Sequence, residues 1–293
     1  MEHPGGVAAW EHYVEAGFLD GVDKVALPAP ALSKDEIVEI FASALNDSYA
    51  VVCISHVLTT TGAILPLREI AALVREVGAV FVVDGAQSAG SVPHLNISAT
   101  GADAYTISGH KGLLGPTGSG LLYIRETART LIRPAALDRG FGAYTQSSGT
   151  VPLQTVMGLG YALDFISAAG GLTDVAVHGN RLAAMTREGL EELALEIPGI
   201  VPLSPPARSG MASSMVTVAF PSDVAVQDVI SRLRDGRGRL VVKRLPDCEG
   251  GTKLVKNALR VSYHMYNSVD DVQRFLSLLE AALLQETISN LDC

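Results

Sequence analysis

Short apolar runs alternate with amphipathic stretches from the start of the chain to about residue 125. Ala50–Ile54, Ala79–Val83, Ala104–Ile107 and Gly120–Ile124 are each too short for a buried helix and read as strands. Between the first two, Pro66 opens a helix that places Ile70, Leu73, Val74 and Val77 on one face. Earlier, Ser33-Lys34-Asp35-Glu36 has the form of a capping box and predicts a helix to about Leu45. Strands separated by helices imply right-handed crossovers and a mainly parallel sheet. Ligands of such sheets gather at the carboxyl ends of the strands, which is where His56, Asp84 and Ser108 fall.

The periodicity then changes. Pro152 opens a long helix to about Ala169, Gly170-Gly171 breaks it, and a second long helix runs from Thr173 to about Leu195. Strands follow near Met215–Phe220, Leu240–Lys243 and Ala258–Ser262, with helices over Val224–Arg234 and from about Val269 to Glu286. This mixture predicts a smaller α+β domain with an antiparallel sheet. The fold class is therefore α/β, a large domain over 1–170 and a small C-terminal one over 171–293, bridged by the second long helix.

Composition narrows the function. With 293 residues, 48% hydrophobic and 18% charged, the chain can bury one large core or two unequal ones. A formal charge of −9 without a basic block excludes a nucleic-acid binder. No apolar run reaches ~18 residues free of charge, so no membrane span is expected. Cys53, Cys248 and Cys293 form no spaced cluster, which supports neither a disulfide framework nor a metal site, and a reducing, cytoplasmic setting fits. The opening Met1-Glu2-His3-Pro4-Gly5-Gly6 resembles neither a signal nor a polar tail and reads like a domain entered midway.

The chemistry is concentrated in two places. Ser108-Gly109-His110-Lys111 lies 24 residues after the Asp84 of Val82-Val83-Asp84-Gly85-Ala86-Gln87, at the end of a neighbouring strand. A lysine, a serine, a histidine, a carboxylate and a carboxamide are the groups that hold pyridoxal 5′-phosphate (PLP): an amine for the Schiff base, an anion at the pyridine nitrogen and donors for the phosphate. Lys111 precedes a glycine-rich turn, Gly112 to Gly120, that lets backbone approach closely. Gln87, about one turn beyond Asp84, can reach the phenolic oxygen of the ring. The competing reading of Asp84 is the N-cap of a short helix. Gly158-Leu159-Gly160 lies within a helix and Gly115–Gly120 lacks the Lys-Ser/Thr ending of a P-loop, so neither is a nucleotide loop. His94, His178 and His264 show no metal spacing.

These residues resemble the class V aminotransferase family of PLP-dependent enzymes, which includes cysteine desulfurases, selenocysteine lyases, kynureninase-like and isopenicillin N epimerase-like proteins. The resemblance runs from residue 2 to about 280 and rests on several motifs in order: Glu2-His3, Ser55-His56-Val57 with Thr61-Gly62, Val83-Asp84-Gly85-Ala86-Gln87, Gly101-Ala102-Asp103, Ser108-Gly109-His110-Lys111, Gly149-Thr150, and Arg260-Val261-Ser262 with Tyr266-Asn267. It implies the type I PLP-dependent transferase fold. It assigns Lys111 to the Schiff base, Asp84 to the pyridine nitrogen, Gln87 to the phenolic oxygen, and Ser108 and His110 to the phosphate. His3 would stack on the ring and Thr150 would reach a phosphate across a homodimer interface. Arg260 would grip the α-carboxylate of an amino-acid substrate, a bidentate task suited to guanidinium.

The chain also departs from the family. Members carry ~100 or more residues before the Glu-His pair, including a Gly-Thr phosphate turn at a helix N-terminus, so a chain truncated at its N-terminus is expected. Thr59 stands where many members place an asparagine near the ring oxygen, and Gly112 where an aromatic residue often follows the lysine. Cys248 lies 12 residues before Arg260, but acidic neighbours disfavour its thiolate, so the persulfide chemistry of a desulfurase is weakly supported. The resulting expectation is a cysteine desulfurase-like enzyme acting on an amino acid. C–S lysis, epimerisation, transamination and decarboxylative carbon–carbon bond formation all remain open, and a secondary-metabolite pathway of the fungal kind is the expected context. The alternative is a truncated, catalytically impaired relative serving as a dimerisation or regulatory partner.

Overall fold

The computed structural model describes residues 2–29, 33–132, 152–235, 239–246 and 255–284. Contacts divide the chain into two units: Asp35–Val57 with Leu65–Asp174, and Met1–Lys34 with Leu58–Ile64 and Val175–Cys293. The second unit is assembled from three separate stretches of sequence. No single described helix is long and apolar enough to cross a membrane.

The first unit carries a four-stranded sheet in the order β1 (Val51–Ser55), β2 (Val80–Asp84), β3 (Ala104–Ser108) and β4 (Gly120–Ile124). The first three strands are parallel and β4 is antiparallel to β3. The crossover between β1 and β2 contains α3 (Leu67–Glu76), which buries Leu67, Ile70, Ala71 and Val74; of the expected face Ile70 and Val74 are buried, while Leu73 and Val77 are half-buried. Helix α2 (Lys34–Ala44) precedes β1 and buries Ile37 and Phe41, and α4 (Leu153–Ala168) follows β4. The antiparallel turn of β4 has a simple cause. Only a short loop joins it to β3, and a parallel return needs a crossover of a dozen or more residues.

The second unit holds α1 (Pro4–Glu15) and most of the 26-residue α5 (Gly171–Glu196). Its antiparallel sheet has the order β5 (Val201–Pro202), β6 (Met215–Ala219), β8 (Ala258–Ser262), β7 (Lys243–Arg244), with α6 (Val226–Arg234) and α7 (Val269–Leu283). Leu182 and Leu190 of α5, Val229 and Leu233 of α6, Phe275 and Leu279 of α7, and Val216, Val218 and Leu259 of the sheet form one apolar core. Ser268 starts α7 with a true capping box, reciprocated by Asp271.

The segment Leu58–Ile64 leaves β1 and joins this second unit, where side chains hold its backbone. Thr217 Oγ1 donates to the Thr60 carbonyl, Ser204 Oγ to that of Thr61 and Ser213 Oγ to that of Gly62, each at 2.6 Å. Beneath them Arg187, 3% exposed, donates through Nη2 to the carbonyls of Ser213 (2.8 Å) and Met215 (2.9 Å). Burial pulls its pKa down to about 10. Buried carbonyls must be paired, and here hydroxyl side chains supply the donors that a neighbouring strand would otherwise give.

Candidate active site

In the first unit, β2 and β3 end at the same edge of the sheet, and their last residues are Asp84 and Ser108. Asp84 is half-buried, paired in register with Ser55 on one side and Thr106 on the other. Its carbonyl accepts the His56 N–H (2.9 Å) and its Oδ1 accepts the Ala86 N–H (2.8 Å). Among the described residues none donates to Oδ2. The Asx turn made by the Ala86 bond replaces the helix N-cap considered above, since 85–91 is a run of turns rather than a helix. Gln87 sits half-buried within this run.

After Ser108 the chain folds back tightly. Gly109 donates to the Ser119 carbonyl (2.9 Å), Leu114 to that of Lys111 (2.9 Å) and Gly115 to that of Gly109 (2.8 Å). His110 is exposed, Lys111 half-buried and Leu113 fully buried, so the turn is anchored by its leucine while the polar groups stay near the surface. Gly112 is required there: a Cβ would run into the backbone of Ala89 and Gly90, so the Lys111 turn lies directly on the turn that follows Gln87. The aromatic residue often found at this position in the family has no room in this packing.

Two residues that the sequence reading did not single out complete this edge. Tyr105, fully buried in β3, meets His56 Nδ1 through its hydroxyl at 2.7 Å, the rings edge to face with centroids 5.9 Å apart. Burial lowers the His56 pKa to about 4 and raises that of Tyr105, so both are neutral near pH 7. Ser88, also fully buried, donates from Oγ to the Gly85 carbonyl (2.7 Å). A tyrosine inside an apolar strand carries no mark that separates it from core, so only the partner across the sheet reveals it.

The remaining expected residues belong to the second unit or lie outside the described ones. Arg260, in β8, donates through Nη1 to the Thr59 hydroxyl (2.9 Å) and the Thr59 carbonyl, while its Nε is buried without a partner among the described residues. Burial lowers its pKa. Thr59 therefore anchors the arginine, and its hydroxyl accepts that bond with its own proton still available. His3 is exposed as the N-cap of α1, its Nδ1 accepting the Gly5 N–H at 3.1 Å. Thr150 and Cys248 lie outside the described residues.

The residues at the strand ends fit PLP by the chemistry of their donors: a carboxylate with one oxygen engaged and one open, and an amine, a hydroxyl and an imidazole on a turn held by backbone bonds. An α/β unit with a lysine turn behind a strand-end aspartate defines a class of cofactor-dependent proteins. The chain matches the family described as Aminotransferase class-V over residues 1–275, and it belongs to that family. Family members use PLP.

Among curated relatives, it is 31% identical to a "Probable cysteine desulfurase" of Pyrococcus abyssi, over 78% of this chain and 58% of that protein. It is also 31% identical to an "Isopenicillin N epimerase" of Amycolatopsis lactamdurans, over 86% of this chain and 64% of that protein. The chain thus spans about three-fifths of the length of these relatives. A cysteine desulfurase from Thermococcus onnurineus NA1 superposes with a TM-score of 0.75 at 25% identity, covering 97% of this chain and 71% of that one. The type I fold expected from the resemblance is the fold observed.

Proposed function

We propose that this chain forms part of a PLP-dependent, cysteine desulfurase-like enzyme that acts on an amino acid, with Lys111 as the residue that holds the cofactor through a Schiff base. The observation that carries the reading is the shared sheet edge where Asp84 ends β2 and the Ser108–Lys111 turn leaves β3. When bound, PLP supplies an electron sink for charge developing at the substrate α-carbon. Asp84 would hold the ring nitrogen protonated, and Gln87 would donate to the phenolic oxygen. Ser108 and His110 would bind the phosphate together with Thr150, His3 would cover the ring, and Thr59 would offer its hydroxyl proton to the ring oxygen. Lys111 would also serve as the general acid or base that moves a proton at the α-carbon or beyond. Arg260, pre-aligned by Thr59, takes the α-carboxylate of the substrate.

The working form in this proposal is a cytoplasmic homodimer, and its role a biosynthetic one in secondary metabolism rather than sulfur supply. The acidic neighbours of Cys248 argue for that choice. Borohydride reduction of the PLP-loaded chain followed by peptide mapping tests the central assignment. The pyridoxyl group is expected on Lys111; an adduct on another lysine, or none, overturns it.

A further inference from the structure

We propose that Tyr105, His56 and Ser88 are positioning residues: a buried neutral trio that fixes Asp84 and the Gly85–Gln87 turn for the cofactor ring without touching it. The inference rests on the proposed role of Asp84. Its own ground is the way three strand ends are tied together. His56 follows β1 and donates its N–H to the Asp84 carbonyl at 2.9 Å. Tyr105 lies within β3 and brings its hydroxyl to 2.7 Å from His56 Nδ1. Its ring fills the space beside Gly85 so completely that a Cβ there would fall on the ring and 2.6 Å from the Thr106 carbonyl. Ser88 closes the turn by donating from Oγ to the Gly85 carbonyl at 2.7 Å.

The Tyr105–His56 bond needs no charge. Across the 2.7 Å contact either the phenol donates to Nδ1 or an Nδ1–H donates to the phenol, while the Ser88 proton stays on the Gly85 carbonyl. Both arrangements hold a neutral imidazole, as its burial demands. All three side chains are buried, Tyr105 and Ser88 completely, so their effect on the cofactor must pass through Asp84 and its turn.

The test uses Tyr105→Phe and Ser88→Ala in the full chain, with two readouts. Without cofactor, hydrogen exchange followed by mass spectrometry is expected to quicken at least roughly tenfold at the amides of 85–88 and to stay unchanged at 80–83. With PLP, the visible absorbance of the bound cofactor is expected to shift and its affinity to fall about fivefold, as for one lost hydrogen bond. The same variants placed on Asp84→Asn should then cost nothing further. Unchanged exchange in both variants overturns the proposal. So does faster exchange with unaltered cofactor affinity, or a loss that adds in full to that of Asp84→Asn. Should Tyr105→Phe not fold, Ser88→Ala carries both readouts. Wild-type chain with no cofactor at Lys111 refutes the function proposed above, while the exchange readout still decides whether the trio holds the turn.

Discussion

Lowering the pH from 7 to 5 should weaken this fold through His56 in a way that can be isolated. In the folded chain the imidazole is 6% exposed and its pKa is lowered from 6.5 to about 4, burial being the cause. The unfolded chain binds the proton from about pH 6.5 downward and the folded chain does not until about pH 4. The stability linked to this group is therefore complete above the unfolded pKa and is lost as the pH falls through that window. For a shift of this size the loss is about 2 kcal/mol by pH 5 and about 3 kcal/mol by pH 4. Carboxylates titrate in the same range, so the comparison is with His56→Gln, which keeps them all. Urea denaturation of both proteins at pH 7 and pH 5 gives the answer. The variant begins less stable because it loses the bond to Tyr105, and the gap should close by about 2 kcal/mol at pH 5. Parallel pH profiles, with the gap constant to within about 0.5 kcal/mol, would refute the buried neutral histidine.

Three further outcomes follow from the geometry. Thr217→Val, nearly isosteric at a fully buried site, leaves the Thr60 carbonyl without its hydroxyl donor and should cost about 1–3 kcal/mol in urea denaturation; a loss under about 0.5 kcal/mol would show that the carbonyl is satisfied otherwise. Gly85→Ala drives a methyl into the Tyr105 ring and should destabilise the chain by about 1–3 kcal/mol while weakening PLP binding; wild-type behaviour on both counts would contradict the packing. Arg260→Lys should leave the absorbance of bound PLP intact and lower kcat/KM for the amino acid at least roughly tenfold, because a point charge replaces a planar fork already aligned by Thr59. An unchanged kcat/KM removes Arg260 from substrate binding.

Elements that bury a stripe were readable in the chain. The face of α3 and the four strand runs of the first unit lie within a residue or two of their expected places, because apolar spacing records what must be hidden. Helix α1 was not readable, and it has no buried residue to leave such a record. Strand β5 is two residues long, and β7 falls at Lys243–Arg244, later than the apolar run Leu240–Lys243 suggests. Its place is set by pairing with Leu259 and Arg260 of β8, not by its own side chains. At the candidate site the sequence marks residues through motif and position after a strand, as with Asp84, Ser108 and Lys111. Tyr105 and Ser88 carry no such mark: the Tyr105 hydroxyl becomes informative only when its partner His56, far along the chain, is known, and Ser88 bonds a carbonyl three residues back as an ordinary turn serine does. Ser204, Ser213 and Thr217 escape notice for the same reason: their acceptors lie more than a hundred residues away.

The hydroxyl clamp on Leu58–Ile64 has a consequence for synthesis on the ribosome. The clamped segment is translated early, but its partners Ser204, Ser213, Thr217 and Arg260 emerge only after more than a hundred further residues. Until then the carbonyls of Thr59 to Gly62 have only water as a partner, and the loop leaving β1 stays uncommitted. The first unit can collapse around its sheet during elongation, whereas the second must wait for sequence from both ends of the chain. A nascent chain stalled before β5 should therefore present a protease with a cleavable stretch between β1 and α3, and release of the finished protein should close it.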